Sequence, residues 1–424
     1  MDHTKEISVL VLSYYMICPP ISGGAKRMLY PAMHLSPDDH IHFHYLYFTY
    51  SENESKRNYN YLHQYPLITE NTPFIVPKSF QFNETGKPKF FNQQVWWYLN
   101  RNFLNRVLEE VKNNTYDIIQ IEHSNFAWLI PHIRLACSAK IVLDCQNLEW
   151  LVYERWLPYA EEKDREWVEK SYSTLKQWEE KVLPWFDALY CISPIEKQAI
   201  EKTTPGVRGY YVPSGASVDD ERYDPGPQKR ERPRDLLFIG SMNWFPNAHA
   251  LIWFLDKVFP LIQKELPGTR LDIIGSGEPQ PEMLRRIQKN RYVTFLGEIE
   301  DEVPSLHQSK ILISPIWIGA GVRLKNPTAW IARLPVVATS LSVEGLEYTD
   351  GEDLLIGDTP ERFAEQTIRL LRDDGLREQI AERAYQSYQE RYSEKQVCDR
   401  WKHAYYATIE NNSEQDRGLE SLDF

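Results

Sequence analysis

The chain reads as an α/β protein built from two doubly wound, parallel-sheet domains. Three observations predict this. Its 424 residues exceed what one ordinary core holds and fit two domains of about 150 to 200 residues each. Apolar runs without helical period recur along it, each followed by a Gly- or Pro-bearing turn and a helix-compatible stretch, as when a buried parallel strand enters a βα unit. The second half then restarts the grammar of the first.

The first half opens with ISVLVLSYYMICPPISGGAKRMLYPAMHLS, Ile7 to Ser36: an apolar run, a Pro/Gly turn and a helical segment. The second restarts with RDLLFIGSMNWFPNAHALIWFLDKVFPLIQKE, where Leu236 to Gly240 is the strand and Asn247 the expected N-cap. Leu251, Phe254, Leu255 and Val258 form one face of the helix that follows. Further buried strands are predicted at Asp117 to Ile121, Ile141 to Leu143, Ala188 to Ile192, Leu271 to Gly275 and Lys310 to Pro315. Helical stretches separate most of them, and ligands of such sheets sit at the carboxyl ends of the strands. The expected organisation is a first domain over 1–215, a charged, Pro-rich linker over 216–235 and a second domain over 236–390. A helix over 391–410 crosses back to the first domain, and 411–424 is a polar tail.

A formal net charge of −12 argues against general nucleic-acid binding, so any anion site must be local. The five cysteines, Cys18, Cys137, Cys145, Cys191 and Cys398, are scattered and mostly embedded in apolar runs, which reads as reduced core thiols. The stretch Met1 to Glu6 lacks a basic signal-peptide region, and no apolar run approaches the roughly 18 to 20 residues a membrane helix needs. The expected location is the cytoplasm, with peripheral contact at the inner face of the membrane left open. Lys87 to Val111 is aromatic, locally basic and amphipathic; it reads either as a core-packing helix or as a surface for anionic lipid or a lipid-linked acceptor. His40, His42 and His44 share one strand face but lack a companion acid or thiol, so no metal site is expected.

The most chemically suggestive stretch is GAGVRLKNPTAW, Gly319 to Trp330. Its glycines let backbone approach a ligand closely. Arg323 and Lys325, two residues apart, fall on one side of an extended segment. Asn326-Pro327 reads as an N-cap and N1 pair, so a helix N-terminus would point at the same ligand. Two cations there suit a diphosphate; an ordinary Arg and Lys beside a βα turn fit the same residues.

The neighbouring segments decide between these readings. FIGSMNWFPNAHALIWFLDKVFPLI, LDIIGSGEP, VTFLGEIEDEVPSLHQSKILISPI, GAGVRLK and LPVVATSLSVEGLEYTDGEDLLI follow in order, with RYSEKQVCDRW behind them. The second half resembles the nucleotide-binding domain of the GT-B fold glycosyltransferases, in particular the retaining family 4, or group 1, enzymes. The first half agrees more loosely through ISGGAKR, DIIQIEHSN, LDCQNLEW, WEEKVLPWFDALYCISPIE and YVPSGAS. The resemblance implies two Rossmann-like domains facing a central cleft. The implied activity is a metal-independent, retaining, hexosyltransferase-type transfer from a nucleoside-diphosphate sugar to a hydroxyl acceptor, in polysaccharide, glycolipid or related glycoconjugate synthesis. No cofactor is implied; the co-substrate is a UDP- or GDP-sugar, and the acceptor a saccharide, a lipid-linked sugar or a small molecule.

Carried over by position, the resemblance makes Arg323 and Lys325 the diphosphate pair, with Gly321 in their loop. Gly23 and Gly24 would face that phosphate from the first domain. Gly240, Ser241 and Asn243 would lie at the mouth of the second domain's first strand, and Gly275 and Gly277 near the base, along which Gly297, Glu298 and Ile299 would run. Glu344, Gly345 and Leu346 would close the sugar end, and Glu122 and His123 are candidates beside the anomeric carbon. The family's paired glutamates fall on Ala320 and Thr328. A threonine at the ribose position offers one neutral hydrogen bond in place of two charge-assisted ones, about 1 to 2 kcal/mol weaker. Arg333 stands where relatives carry glycine, and Gln146 where they often carry histidine. These departures motivate a second reading, a degenerate transferase serving as a partner or scaffold subunit.

Overall fold

A computed structural model describes residues 5–13, 23–49, 62, 67–75, 99–216, 220–227 and 231–410. The chain divides into two compact units, Met1–Ser214 with Val397–Phe424, and Gly215–Gln396. Each is built on one parallel sheet with helices on both faces.

In unit 1 the sheet order is β3-β2-β1-β4-β5-β6-β7. These strands are Ile7–Ser13 (β1), Ile41–Thr49 (β2), Ile68–Ile75 (β3), Ile118–Glu122 (β4), Lys140–Cys145 (β5), Ala188–Cys191 (β6) and Arg208–Tyr211 (β7). Alternate residues of β1 serve opposite faces, Leu10 and Leu12 one core and Ile7, Val9 and Val11 the other. Burial on both faces explains why the strands show as unbroken apolar runs. In unit 2 the order is β10-β9-β8-β11-β12-β13. Its strands are Arg234–Ile239 (β8), Leu271–Ile274 (β9), Val293–Gly297 (β10), Ser309–Ser314 (β11), Val336–Ala338 (β12) and Leu355–Ile356 (β13). All pairs are parallel, and the order reverses between β8 and β11, where a doubly wound sheet opens a crevice. Both units are Rossmann-like, as the resemblance to the GT-B fold implies. Of the helical face expected after β8, Leu251, Phe254 and Val258 are fully buried and Leu255 packs against the same core.

The carboxyl-terminal helix Glu394–Glu410 packs on unit 1 through Val397, Trp401, Ala404 and Tyr405, which fall on one helical face. Beneath it lies a fully buried ion pair. The Arg27 guanidinium donates to Asp144 Oδ1 through Nη2 at 2.6 Å and through Nε at 2.9 Å, and to the Val212 carbonyl at 2.7 Å. The Trp401 ring covers it at 5.1 Å.

The stretch expected as a linker, 216–235, is attached to unit 2 where it is described. Tyr223 is buried with its hydroxyl donating to Glu302 at 2.8 Å, and Arg232 donates to the carbonyls of Leu306, Ser309 and Arg333. Charge and proline hid this docking, because the contacts rest on two polar-ended side chains rather than an apolar run.

Two expected helix starts also shift. Helix Phe245–Trp253 is preceded by Trp244, not capped by Asn247, and helix Lys325–Ile331 by Leu324, not Asn326. Both asparagines are spent across loops instead. Asn247 Nδ2 donates to the Ser241 carbonyl at 3.1 Å, and Asn326 Nδ2 to the Ser342 carbonyl at 2.7 Å. Lys325 therefore opens its helix, and the Arg323-to-Lys325 segment is a turn rather than extended, with Asn326 N donating to Arg323 O. The aromatic stretch 87–111 is described only from 99 onward, where Arg101–Asn113 is helical with Phe103, Val107 and Val111 in the core; the rest of it lies outside the described residues.

Replacing Arg27 by Ala leaves Asp144 as a buried carboxylate without its counter-charge, so unit 1 should lose about 3 to 5 kcal/mol. Urea unfolding of the full chain measures this; a loss below about 1 kcal/mol would show that the pair is not buried as described.

Candidate functional site

Because every strand of unit 2 points the same way, the turns after β10, β9, β8, β11 and β12 reach one edge of the sheet. These turns carry Gly297 to Ile299, Gly275 to Gly277, Gly240 to Asn243, Gly319 to Lys325 and Ser340 to Leu346. The turns after β9 and β8 touch through their main chains. Met242 N donates to Ser276 O at 2.8 Å, and a Cβ on Gly275 would lie 1.8 Å from the Gly240 carbonyl oxygen. No side chain fits there, so Gly275 is required by contact between backbones.

The turns after β8 and β11 flank the point where the sheet order reverses, and the latter holds both cations. Arg323 Nη1 donates to Gly321 O at 2.7 Å. Lys325 is half-buried; its Nζ donates to Asn247 Oδ1 at 3.0 Å and lies 4.7 Å from the centre of the Phe238 ring. Burial pushes this amine down to about 7, and the neighbouring Arg323 charge adds to the effect. An amine in this state gains from an anion. Asn243 and Glu298 are exposed, Ser241, Ile299, Gly321 and Glu344 are half-buried, and Gly345 and Leu346 are buried. Thr328 is buried and is held by the main chain. Its buried hydroxyl lies 2.8 Å from both the Ala216 and Leu324 carbonyls, and its single proton serves one of them.

Arg333 is a matter of fold. Its φ of 50° is left-handed, a conformation that favours glycine, the residue the family resemblance implies here. The backbone cost, about 1 to 2 kcal/mol, is offset by Asp224 at 3.1 Å, by Glu382 and by stacking 3.6 Å over Tyr385.

In unit 1, Gly23 and Gly24 open the helix Gly23–His34. Glu122 ends β4 and is fully buried, accepting from Gln120 Nε2 and Gln146 Nε2, each at 2.8 Å. Burial, then the Asp144 charge opposite it on β5, holds the Glu122 carboxyl well above the usual carboxylate range. His123, the next residue, has a φ of 66° and a nearly buried ring whose Nδ1 pairs with Glu149 Oε1 at 2.8 Å. Ser124 is clamped from both sides, donating to Glu179 at 2.6 Å and accepting from Trp178 Nε1 at 3.0 Å. This clamp holds the strained His123 backbone in place. Glu179 also accepts from the amides of Glu149 and Trp150 at the start of helix Glu149–Trp156. Its own burial and the charge of Glu149 push it up to about 8.

The structure thus gathers the unit 2 candidates along one edge, with the Thr328 hydroxyl committed to the main chain, and gives Glu122 and His123 different surroundings. Sequence reasoning missed Asn247, Glu149 and Glu179 as partners of chemically active groups. Glu149 and Glu179 stood inside LDCQNLEW and WEEKVLPW, but nothing in those segments marks the pairing. Of the three histidines, expected to lack a companion acid, His40 and His42 both reach Glu6, at 3.5 and 2.6 Å, a carboxylate that the fold brings beside β2 from just before β1, and His44 is buried beside Tyr116 and Glu110. No group of three His, Cys, Asp or Glu side chains placed to hold a metal occurs among the described residues, nor any helix long and apolar enough to cross a membrane.

Comparison with known proteins agrees with this architecture. Residues 233–373 match the family described as "Glycosyl transferases group 1". An uncharacterised 44.6 kDa protein of the cps region of Klebsiella pneumoniae is 31% identical over 169 residues, 38% of this chain and 44% of that protein. Poly(glycerol-phosphate) alpha-glucosyltransferase of Bacillus subtilis (strain 168) is 28% identical over 170 residues, 38% of this chain and 24% of that enzyme. The matches therefore span less than half the length of either curated relative. Among solved structures, Anabaena Alr3699/HepE in complex with UDP and glucose superposes with a TM-score of 0.67 at 12% identity, over 95% of this chain and 100% of that one.

The folded protein retains a proton on Glu179 that the unfolded chain releases, so this group's contribution is full in acid and is lost as pH rises towards 8. Glu179→Gln removes the effect. Relative to wild type, its stability in denaturant should improve between pH 5 and 8, by at most about 1.4 kcal/mol per pH unit. A difference independent of pH would contradict the raised value.

Proposed function

From a chain whose residues 233–373 match the group 1 glycosyl transferases, within a GT-B fold, we propose a transferase that moves a sugar from a nucleoside-diphosphate sugar to a hydroxyl acceptor. The observation that carries the reading is the pair Arg323 and Lys325, set beside the glycine turns where the unit 2 sheet order reverses. When the C1–O bond to the diphosphate breaks, negative charge grows on the leaving group. Two preorganised cations at a half-buried edge stabilise that charge more in the transition state than in the bound donor. This assigns to side chains the neutralisation that a metal performs in other transferases, and the proposed reaction is metal-independent.

The base would lie along Gly275 to Gly277 and Gly297 to Ile299, and Glu344 to Leu346 would face the sugar. The family resemblance favours UDP or GDP as carrier and attack on the face the leaving group departs from, hence retention. Of the unit 1 candidates, His123 has its ring held by Glu149, as a group beside a reacting carbon needs, whereas Glu122 is a buried acid held by Gln120 and Gln146. The name of the Bacillus relative, a poly(glycerol-phosphate) alpha-glucosyltransferase, favours a polyol-phosphate polymer as acceptor, beside the saccharide or lipid-linked sugar that the family resemblance implies. Thr328 favours a weaker hold on the ribose rather than loss of catalysis, since its hydroxyl is already committed to the main chain.

Purified protein incubated with UDP-, GDP-, ADP- and dTDP-sugars should bind and slowly hydrolyse at least one of them. In the same assay Arg323→Ala and Lys325→Ala should each lower turnover by about a hundredfold or more. Binding of no donor, or unchanged turnover in both variants, would sink the proposal; intact partner binding without turnover would favour the scaffold reading.

A further inference from the structure

The amine of Lys325 has an unusual partner for a cation at a half-buried position. Its acceptor is Asn247 Oδ1, a neutral amide oxygen on another element, and Arg323 is the charged neighbour acting on it. Among the described residues, the groups beside the amine are the Phe238 ring from β8, the Asn247 amide from helix Phe245–Trp253 and the Arg323 guanidinium from its own turn. Nothing in that set neutralises an ammonium.

The amide itself is rigidly placed. Asn247 is 9% exposed and is the third residue of its helix, with its backbone N–H donating to Trp244 O at 3.0 Å. Its two ends are told apart by their partners: Nδ2 donates to the Ser241 carbonyl at 3.1 Å, so Oδ1 faces the Lys325 ammonium. It also fills the space left by a missing side chain, since a Cβ on Gly240 would lie 2.6 Å from Asn247 Cγ. One side chain therefore joins the turn after β8 to the first residue of helix Lys325–Ile331. An aspartate of the same shape would fit the same space and form a strong ion pair with the lysine; the chain places the neutral isostere there.

We propose that Asn247 is a positioning residue that aims the Lys325 amine while withholding a counter-charge, so that the amine acquires its full charge when the donor diphosphate arrives and nucleotide binding takes up a proton. This rests on the reading of the site as one for a nucleoside diphosphate. With the free amine titrating near 7, a bound diphosphate favours its charged form and carries that titration upward. By linkage, affinity must then fall with rising pH above 7, approaching about tenfold per pH unit until the bound amine itself titrates. An aspartate at 247 would hold the amine charged before binding and offset that charge, removing both the pH dependence and much of the attraction.

The test titrates UDP and GDP into the full chain by calorimetry at pH 7, 8 and 9, each in two buffers of different ionisation enthalpy, above the phosphate's own titration near pH 6. Wild type should take up a proton on binding at pH 8 and bind at least about tenfold more weakly at pH 9 than at pH 7. Asn247→Asp should bind at least about tenfold more weakly at pH 7 and show no proton uptake; Lys325→Gln should also show none. Wild-type binding without proton uptake, or Asn247→Asp binding with the affinity and slope of wild type, would overturn the inference and leave the proposed function standing. Failure of wild type to bind UDP, GDP, ADP or dTDP at all would overturn both. The proton count on wild type decides the matter even if the aspartate variant does not fold.

Discussion

The contact between Gly275 and the Gly240 carbonyl is the constraint on which the unit 2 edge depends. It brings the turns after β8 and β9 together with no room for a side chain. Gly240 in turn leaves the space that Asn247 occupies, and Asn247 holds Lys325. A sequence of close approaches thus runs from the middle of the sheet to the amine. Each step is a packing requirement before it is a chemical one. Among the described residues the cation is thus held by a neutral amide of the scaffold, the arrangement that the proposed anion site calls for.

The two units manage buried charge in opposite ways. Unit 1 pairs Arg27 with Asp144 under Trp401 and surrounds Glu122 with two glutamines, so its charges are satisfied within the fold. Glu179 anchors Ser124 and the start of helix Glu149–Trp156, and through them the strained backbone at His123. In unit 2 the Lys325 amine is held instead by a neutral amide oxygen, with the Arg323 charge beside it. Repulsion between Arg323 and Lys325 destabilises the free edge, and a diphosphate would relieve it.

Most of the fold was legible because parallel strands buried on both faces are written as continuous apolar runs, and each predicted strand falls within a residue or two of an observed one. The helix starts were less legible. Asn247 and Asn326 carry the side chains of good caps, yet tertiary partners at Ser241, Lys325 and Ser342 claim those amides first. Arg333 looked like a functional departure and is a left-handed residue supported by Asp224, Glu382 and Tyr385. At the site, the glycines and cations could be placed through a family resemblance. The Glu149–His123 and Glu179–Ser124 pairs could not, since they join elements that only the folded sheet brings together. No periodicity or spacing in the sequence records them.

The central claim is that Arg323 and Lys325 form a diphosphate clamp held by Asn247. A crystal structure of the full chain with UDP or GDP tests it most directly. The account predicts phosphate oxygens within hydrogen-bond distance of both cations, with Lys325 Nζ still bonded to Asn247 Oδ1. A diphosphate bound elsewhere on the protein, with either cation left out of contact, would contradict it.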